Sequence, residues 1–82
     1  MKPSKQDVFD IVKKNTLQVL IDVDPDAVTI DTSLTDLGAN SIDRVEVVMY
    51  SMESLGINIP RTELHGVRNI RELVDLLHSH CA

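Results

Sequence analysis

Eighty-two residues make one domain, since domains run from about 50 to 250 residues, and a chain this short buries only about 60–65% of the surface its unfolded form exposes. Apolar residues make up 43% and charged residues 26%, a globular rather than a disordered composition; Phe9 and Tyr50 are the only aromatic side chains, so the core must be aliphatic. Thirteen acidic against eight basic residues leave a charge of −5 with histidine neutral, which argues against a nucleic acid, whose phosphates need a basic face, and favours basic partners.

Cys81 is the only cysteine and cannot staple the fold, so a reducing compartment is expected. No run reaches the roughly 18 apolar residues that suggest a membrane span, and the first segment is not signal-like. The expectation is a soluble, cytoplasmic monomer with one domain over residues 1–82 and no membrane partner.

Ser4 followed by Asp7 resembles a capping box. Val8, Ile11, Val12 and Val19 then recur at helical spacing, which predicts a first helix over about 4–20. Pro25 within Asp22-Val23-Asp24-Pro25-Asp26 rules out its continuation. The long segment that follows carries Val28, Ile30, Leu34 and Leu37 at intervals, so these four side chains are expected to pin it to the core. A short turn is expected around Ser33 to Asp36.

A second helix is expected over about 41–55, between Gly38 and a left-handed stop at Gly56. Counted from Ile42 in steps of 100°, Val47 falls at about 140°, Leu55 at 220°, Val48 at 240°, Met52 at 280°, Val45 at 300° and Met49 at 340°. That apolar arc is about 220° wide, twice the roughly 100° one core contact requires. Val47, Val48, Met52 and Leu55 are therefore expected to pack inward. Ile42, Val45 and Met49, fringed by Glu46 and Glu53, form a surface for a partner.

Pro60 introduces a short helix over about 61–65, which Gly66 is expected to close. Asn69 with Glu72 repeats the capping-box pattern, and Ile70, Leu73, Val74 and Leu77 fill one face of a last helix over about 69–78. No stretch alternates long enough to demand a sheet, although Val28 to Ile30 leans toward strand. The fold class is all-α, a small four-helix bundle of three longer helices and one short one with a long first loop.

The segment with most chemical content is Leu37-Gly38-Ala39-Asn40-Ser41-Ile42-Asp43. A loop of small residues delivers Ser41 to a helix start, where free backbone N–H groups and the macrodipole favour an anion. A phosphodiester on Ser41 would sit in that field, with room left by Gly38 and Ala39. Taken alone, the same residues also read as an ordinary N-cap at Asn40 or Ser41.

That segment, continued by Val45-Glu46-Val47-Val48-Met49 and by Leu55-Gly56-Ile57-Asn58-Ile59-Pro60, resembles the attachment region of acyl carrier proteins. The resemblance implies that Ser41 carries 4′-phosphopantetheine, transferred from coenzyme A by a phosphopantetheinyl transferase, with acyl groups held as thioesters on the arm's thiol. It also implies a partner-binding surface of Ile42, Asp43, Arg44, Val45, Glu46, Met49 and Glu53. Such a protein presents cargo to enzymes and need not catalyse anything itself.

Two departures from the family's pattern stand out. Asn40 replaces the aspartate that most members place before the serine, which keeps the cap but removes a negative charge. Arg44, with Arg61, Arg68 and Arg71, makes the surface mixed in sign and narrows its partners. Gly38-Ala39-Asn40-Ser41-Ile42-Asp43-Arg44-Val45-Glu46, followed by Ser51-Met52-Glu53-Ser54-Leu55-Gly56-Ile57, is most similar to freestanding donor carriers of polyketide β-branching cassettes. Such a donor receives its cargo from an acyltransferase, has malonyl trimmed to acetyl by a decarboxylating ketosynthase, and delivers acetyl to an enzyme like 3-hydroxy-3-methylglutaryl (HMG) synthase. There the acetyl methyl carbon joins a β-ketone held on an acceptor carrier domain of a polyketide synthase.

Other readings are a fatty-acid, peptidyl or D-alanyl carrier, and an unmodified helical adaptor that binds proteins through the second helix. A metal site is not expected: His78, His80 and Cys81 lack a fourth ligand, and Asp22, Asp24 and Asp26 lack a calcium loop's glycine and terminal glutamate. His65 has no paired acid and nucleophile, and it is expected near the short helix, facing solvent or the arm.

Overall fold

The first helix begins where its sequence signal lies. Ser4 is extended (φ −75°, ψ 166°), its Oγ accepts the Asp7 N–H at 3.1 Å, and the Asp7 carboxylate accepts the Ser4 N–H at 3.1 Å. Two of the N–H groups that a helix start leaves without backbone partners are thereby satisfied. Helix α1 spans Lys5–Val19 and buries Val8, Val12, Asn15 and Thr16 along one stripe. The computed structural model describes residues 2–81, and no strand occurs among them.

Between Leu20 and Asn40 the chain makes a single 3₁₀ turn, Pro25–Ala27, capped by the Asp24 carboxylate on the Asp26 N–H at 2.9 Å. Asp24 thus has a local structural task. Val28, Leu34 and Ala39 are buried and Leu37 packs against the core. Ile30, expected to be a fourth pin, is instead 37% exposed. Its backbone is what is engaged: Ile30 O accepts the Arg71 N–H at 2.8 Å, and Thr32 O accepts the Ile70 N–H at 2.9 Å. The loop therefore supplies acceptors to the otherwise unpaired first amides of the last helix.

Helix α2 spans Ser41–Leu55, α3 Arg61–Leu64 and α4 Ile70–Ser79. Helix α2 ends at Gly56 in the left-handed region (φ 67°), with the Ile57 N–H donating to Met52 O at 3.0 Å, a helix ending that favours glycine. Gly66, expected to close α3, lies in the turn that follows it and does so without a positive φ. The Asn69 side chain caps Glu72 N–H at 2.8 Å, but the Glu72 carboxylate takes the Arg68 N–H at 2.7 Å rather than that of Asn69. The reciprocal half of the expected box has slipped one residue toward the N-terminus.

The core lies where α1 packs against both α2 and α4. Val8 and Val12 of α1, Val47 of α2, and Ile70, Leu73, Val74 and Leu77 of α4 meet there, closed from above by Val28, Leu34 and Ile59. Exposed ion pairs join Lys5 to Asp75 at 3.1 Å and Arg71 to Asp31 at 2.7 Å, and the half-buried His80 ring meets the Glu63 carboxylate in a hydrogen bond of 3.1 Å. The hydrogen bond that Arg71 donates to the Asp31 carboxylate, together with that carboxylate's charge, raises the Arg71 pKa above the ordinary value. No described helix is long and apolar enough to cross a membrane.

Candidate functional site

The approach to Ser41 is a hydrogen-bonded turn at residues 34–38. Ser33 Oγ accepts the Asp36 N–H at 3.0 Å, the Gly38 N–H donates to Thr35 O at 3.0 Å, and the Ala39 N–H returns to Leu34 O at 3.0 Å. Gly38 reverses the chain at φ 96°, a conformation L side chains rarely adopt. Ala39, expected to leave room beside Ser41, points its methyl into the core and is 6% exposed. It anchors the turn.

Asn40 is the N-cap of α2. Its Oδ1 accepts the Asp43 N–H at 2.8 Å, and the Asp43 carboxylate accepts the Asn40 N–H at 3.2 Å. The two readings of the segment are thereby separated: the cap is Asn40, and Ser41 is the first helical residue with its hydroxyl left over. Ser41 is exposed, and its Oγ accepts one side-chain hydrogen bond, from Arg44 Nη2 at 3.2 Å. Arg44 Nη1 donates to Thr35 Oγ1 at 3.3 Å, so the guanidinium bridges the helix and the preceding turn.

Ser41 and Arg44, both exposed, stand at the rim of a cleft of about 790 Å³ lined by α2, the turn before it, α3 with its flanking segments, and the start of α4. Its apolar lining includes Val45, Val48, Met49 and Met52 from one side and Leu64 and Val67 from the other. On the outer face of α2, Ile42, Val45 and Met49 are 69%, 48% and 54% exposed, while Val47 is fully buried. Val48, Met52 and Leu55 are half-buried against the core. Glu53 is exposed and Glu46 half-buried beside the exposed stripe. Asp43, engaged in the cap, is the least free of the candidate partner residues. His65 is exposed on the cleft, and among the described residues it makes no hydrogen bond to Ser41.

Sequence reasoning missed Thr35 as a neighbour of Arg44 and the exposure of Tyr50, 42% accessible on α2. It also missed the buried pair Asn15 and Ser51. A signal for Ser51 existed: on the wheel it falls at about 180°, between Val47 and Leu55 on the inward side of the apolar arc.

The family model for the phosphopantetheine attachment site matches residues 14–77 of this chain. The chain belongs to the acyl carrier protein family. Among relatives, the carrier is 39% identical over 74 residues to the polyketide biosynthesis acyl-carrier-protein AcpK of Bacillus subtilis, covering 90% of each chain. It is 39% identical over 74 residues to an acyl carrier protein of Campylobacter hominis, covering 89% of this chain and 92% of that one. A chain from the crystal structure of the curacin biosynthetic pathway HMG synthase in complex with acetyl donor-ACP superposes with a TM-score of 0.85. That match is 40% identical and covers 94% of the carrier and 99% of the other chain. The family's prosthetic group is 4′-phosphopantetheine, and its members carry acyl groups rather than transform them. The site suits such a group: an exposed hydroxyl, relieved of capping by Asn40 and touched by a single cation, opens onto a cleft.

Proposed function

We propose that the carrier is an acetyl donor in polyketide β-branching, with its prosthetic group esterified to Ser41 Oγ. The observation that carries the reading is the 40% identity and near-complete overlap with a chain from the HMG synthase–acetyl donor-ACP complex. Attachment at Ser41 is supported by the exposure of its hydroxyl at the first position of α2. In the loading step the bond formed joins Ser41 Oγ to phosphorus, and the bond broken is the pyrophosphate link of coenzyme A. The hydroxyl proton passes to a base of the transferase, because Arg44, the side chain touching Ser41 Oγ, cannot accept a proton near neutral pH. The same deficiency supports a non-catalytic role. Once bound, the arm supplies a thiol that holds acyl groups as thioesters.

The contribution of this chain is positional. A tethered group meets each partner at a high effective concentration, and the partner is selected by the exposed stripe Ile42, Val45 and Met49 with Asp43, Arg44, Glu46 and Glu53 around it. An apolar patch with a charged rim suits brief, reversible docking. The partners in this reading are a phosphopantetheinyl transferase, an acyltransferase, a decarboxylating ketosynthase, the HMG synthase-like enzyme and acceptor carrier domains. The carrier works in the cytoplasm, where coenzyme A is at hand.

Intact mass after incubation with coenzyme A, magnesium and a broad-range transferase tests attachment. One phosphopantetheinyl group is expected on wild type and none on Ser41→Ala. An unchanged wild-type mass with several competent transferases would favour an unmodified adaptor. Acetyl-loaded carrier is then offered to an HMG synthase-like enzyme with a β-ketoacyl acceptor. Failure there, alongside efficient service in fatty-acid elongation, rejects the donor role and retains the carrier.

A further inference from the structure

We propose that Arg44, held by Thr35, forms an anion subsite at the cleft rim for the phosphodiester on Ser41, and so directs the arm over the cleft. The inference rests on Ser41 being the attachment residue. Its first support is geometric. The Arg44 guanidinium already lies 3.2 Å from Ser41 Oγ and 3.3 Å from Thr35 Oγ1, so a phosphorus bonded to Oγ brings its charged oxygens within reach of the same fork. The ester oxygen that replaces the hydroxyl is a poorer acceptor than those oxygens. The guanidinium donors therefore transfer to them, in the paired geometry for which arginine is suited.

The second support is the disposition of charge. The chain carries −5 overall, yet the ionisable side chains lining the cleft are Arg44, Arg61, His65 and Arg68, with no aspartate or glutamate among them. Among the described residues Arg44 has no carboxylate partner, whereas Arg71 takes Asp31. The Asp43 carboxylate is held on the capping side, on the Asn40 N–H. An anion on Ser41 is thus drawn toward the rim and repelled from the capping side. The α2 N-terminus favours the anion but sets no direction across the helix; Arg44 sets it.

The experiment uses full-length carrier in the apo and holo forms, with complete loading established by intact mass. The Arg44 Nε–H resonance and the phosphorus resonance of the holo protein are followed by NMR in wild type, Arg44→Ala and Arg44→Lys. Loading is expected to shift the wild-type Arg44 resonance. Truncation to alanine is expected to shift the phosphorus resonance, with lysine intermediate, and both effects shrink as salt rises because the pair is exposed. An Arg44 resonance unmoved by loading of wild type overturns the subsite while leaving the carrier reading intact, and this comparison needs no variant to fold or load. A phosphorus resonance indifferent to position 44 overturns it equally. A wild-type mass that never increases overturns the attachment at Ser41 and the subsite together.

Discussion

Asn15 Nδ2 donates to Ser51 Oγ at 3.3 Å across the contact between α1 and α2, and Ser51 Oγ donates in turn to Val47 O at 2.8 Å. Both side chains are buried, at 5% and 0% exposure. A serine within α2's inward arc would ordinarily weaken the core. Its hydroxyl is instead satisfied along its own helix, and it accepts the one amide that α1 sends across.

Ser51→Ala leaves the Asn15 amide without that partner. An orphaned buried donor costs about 1–3 kcal/mol, of which roughly 0.5 kcal/mol is recovered from alanine's better helix propensity. The expected net loss is about 1–2 kcal/mol in urea unfolding. Because the two residues share one bond, Asn15→Ala with Ser51→Ala should cost less than the sum of the singles, by more than about 0.5 kcal/mol. Additive losses would mean the bond couples nothing.

The division of α2 into an inner and an outer face sets a second expectation. Val47 is fully buried, so Val47→Ala should cost about 2 kcal/mol through lost transfer energy and the cavity left behind. Val45→Ala and Met49→Ala, at 48% and 54% exposure, should change stability by no more than about 0.5 kcal/mol while slowing acyl transfer to partner enzymes. Val48→Ala and Leu55→Ala, half-buried, should fall between. Thermal melts run beside a transfer assay check the order. A Met49→Ala protein that melts below Val47→Ala would reverse the assignment of faces.

The Asn40 cap predicts a pair of unequal substitutions. Asn40→Ala removes the acceptor of the Asp43 N–H and should destabilise by about 1 kcal/mol. Asn40→Asp keeps the acceptor and adds a charge that the helix N-terminus favours by about 0.3–1 kcal/mol, opposed by the nearby Asp43 carboxylate. Stability should therefore stay within about 0.5 kcal/mol of wild type. Chemical denaturation of the apo protein measures both. Equal losses in the two variants would show that the cap bond is not what the asparagine contributes.

The all-helical class was legible because its signals are local. Ser4 lies three residues before Asp7, the apolar side chains of α4 recur at helical spacing, and Gly56 stands where α2 must stop. The site was half legible. A serine at a helix start could be read, but Asn40 and Ser41 could not be ranked as caps, since that depends on which residue holds extended backbone angles. Arg44's reach to Thr35 depends on the turn at residues 34–38, which no spacing rule places beside α2. The error at Ile30 has a related origin. An apolar residue in a loop suggests a buried side chain, whereas here the carbonyl is engaged, on an amide 41 residues along the chain. Hydropathy carries no information about backbone acceptors.

That loop-to-helix contact yields a prediction for hydrogen exchange. The first amides of a helix ordinarily exchange quickly because they lack backbone acceptors. Ile70 and Arg71 donate to Thr32 O and Ile30 O at 2.9 and 2.8 Å, so both should be protected well beyond Lys5 and Gln6 at the start of α1. Native-state exchange followed by NMR decides it: equal rates at the two helix starts would mean that the loop opens independently of α4.

Two glycines with equally open surroundings should respond to alanine with opposite signs. No atom lies within 4 Å of a Cβ built at Gly56 or at Gly66, so neither substitution meets a clash. Gly56 has φ 67°, and alanine there must hold a left-handed backbone at a cost of about 1 kcal/mol. For a domain of this size that corresponds to a melting point lower by about 4–8 °C. Gly66 lies outside that region, so alanine only narrows the unfolded ensemble and should stabilise by about 0.4–1 kcal/mol. Calorimetry of the two variants reads the contrast directly. A lower melting point for Gly66→Ala would mean that the segment after α3 needs a backbone freedom its folded angles do not reveal.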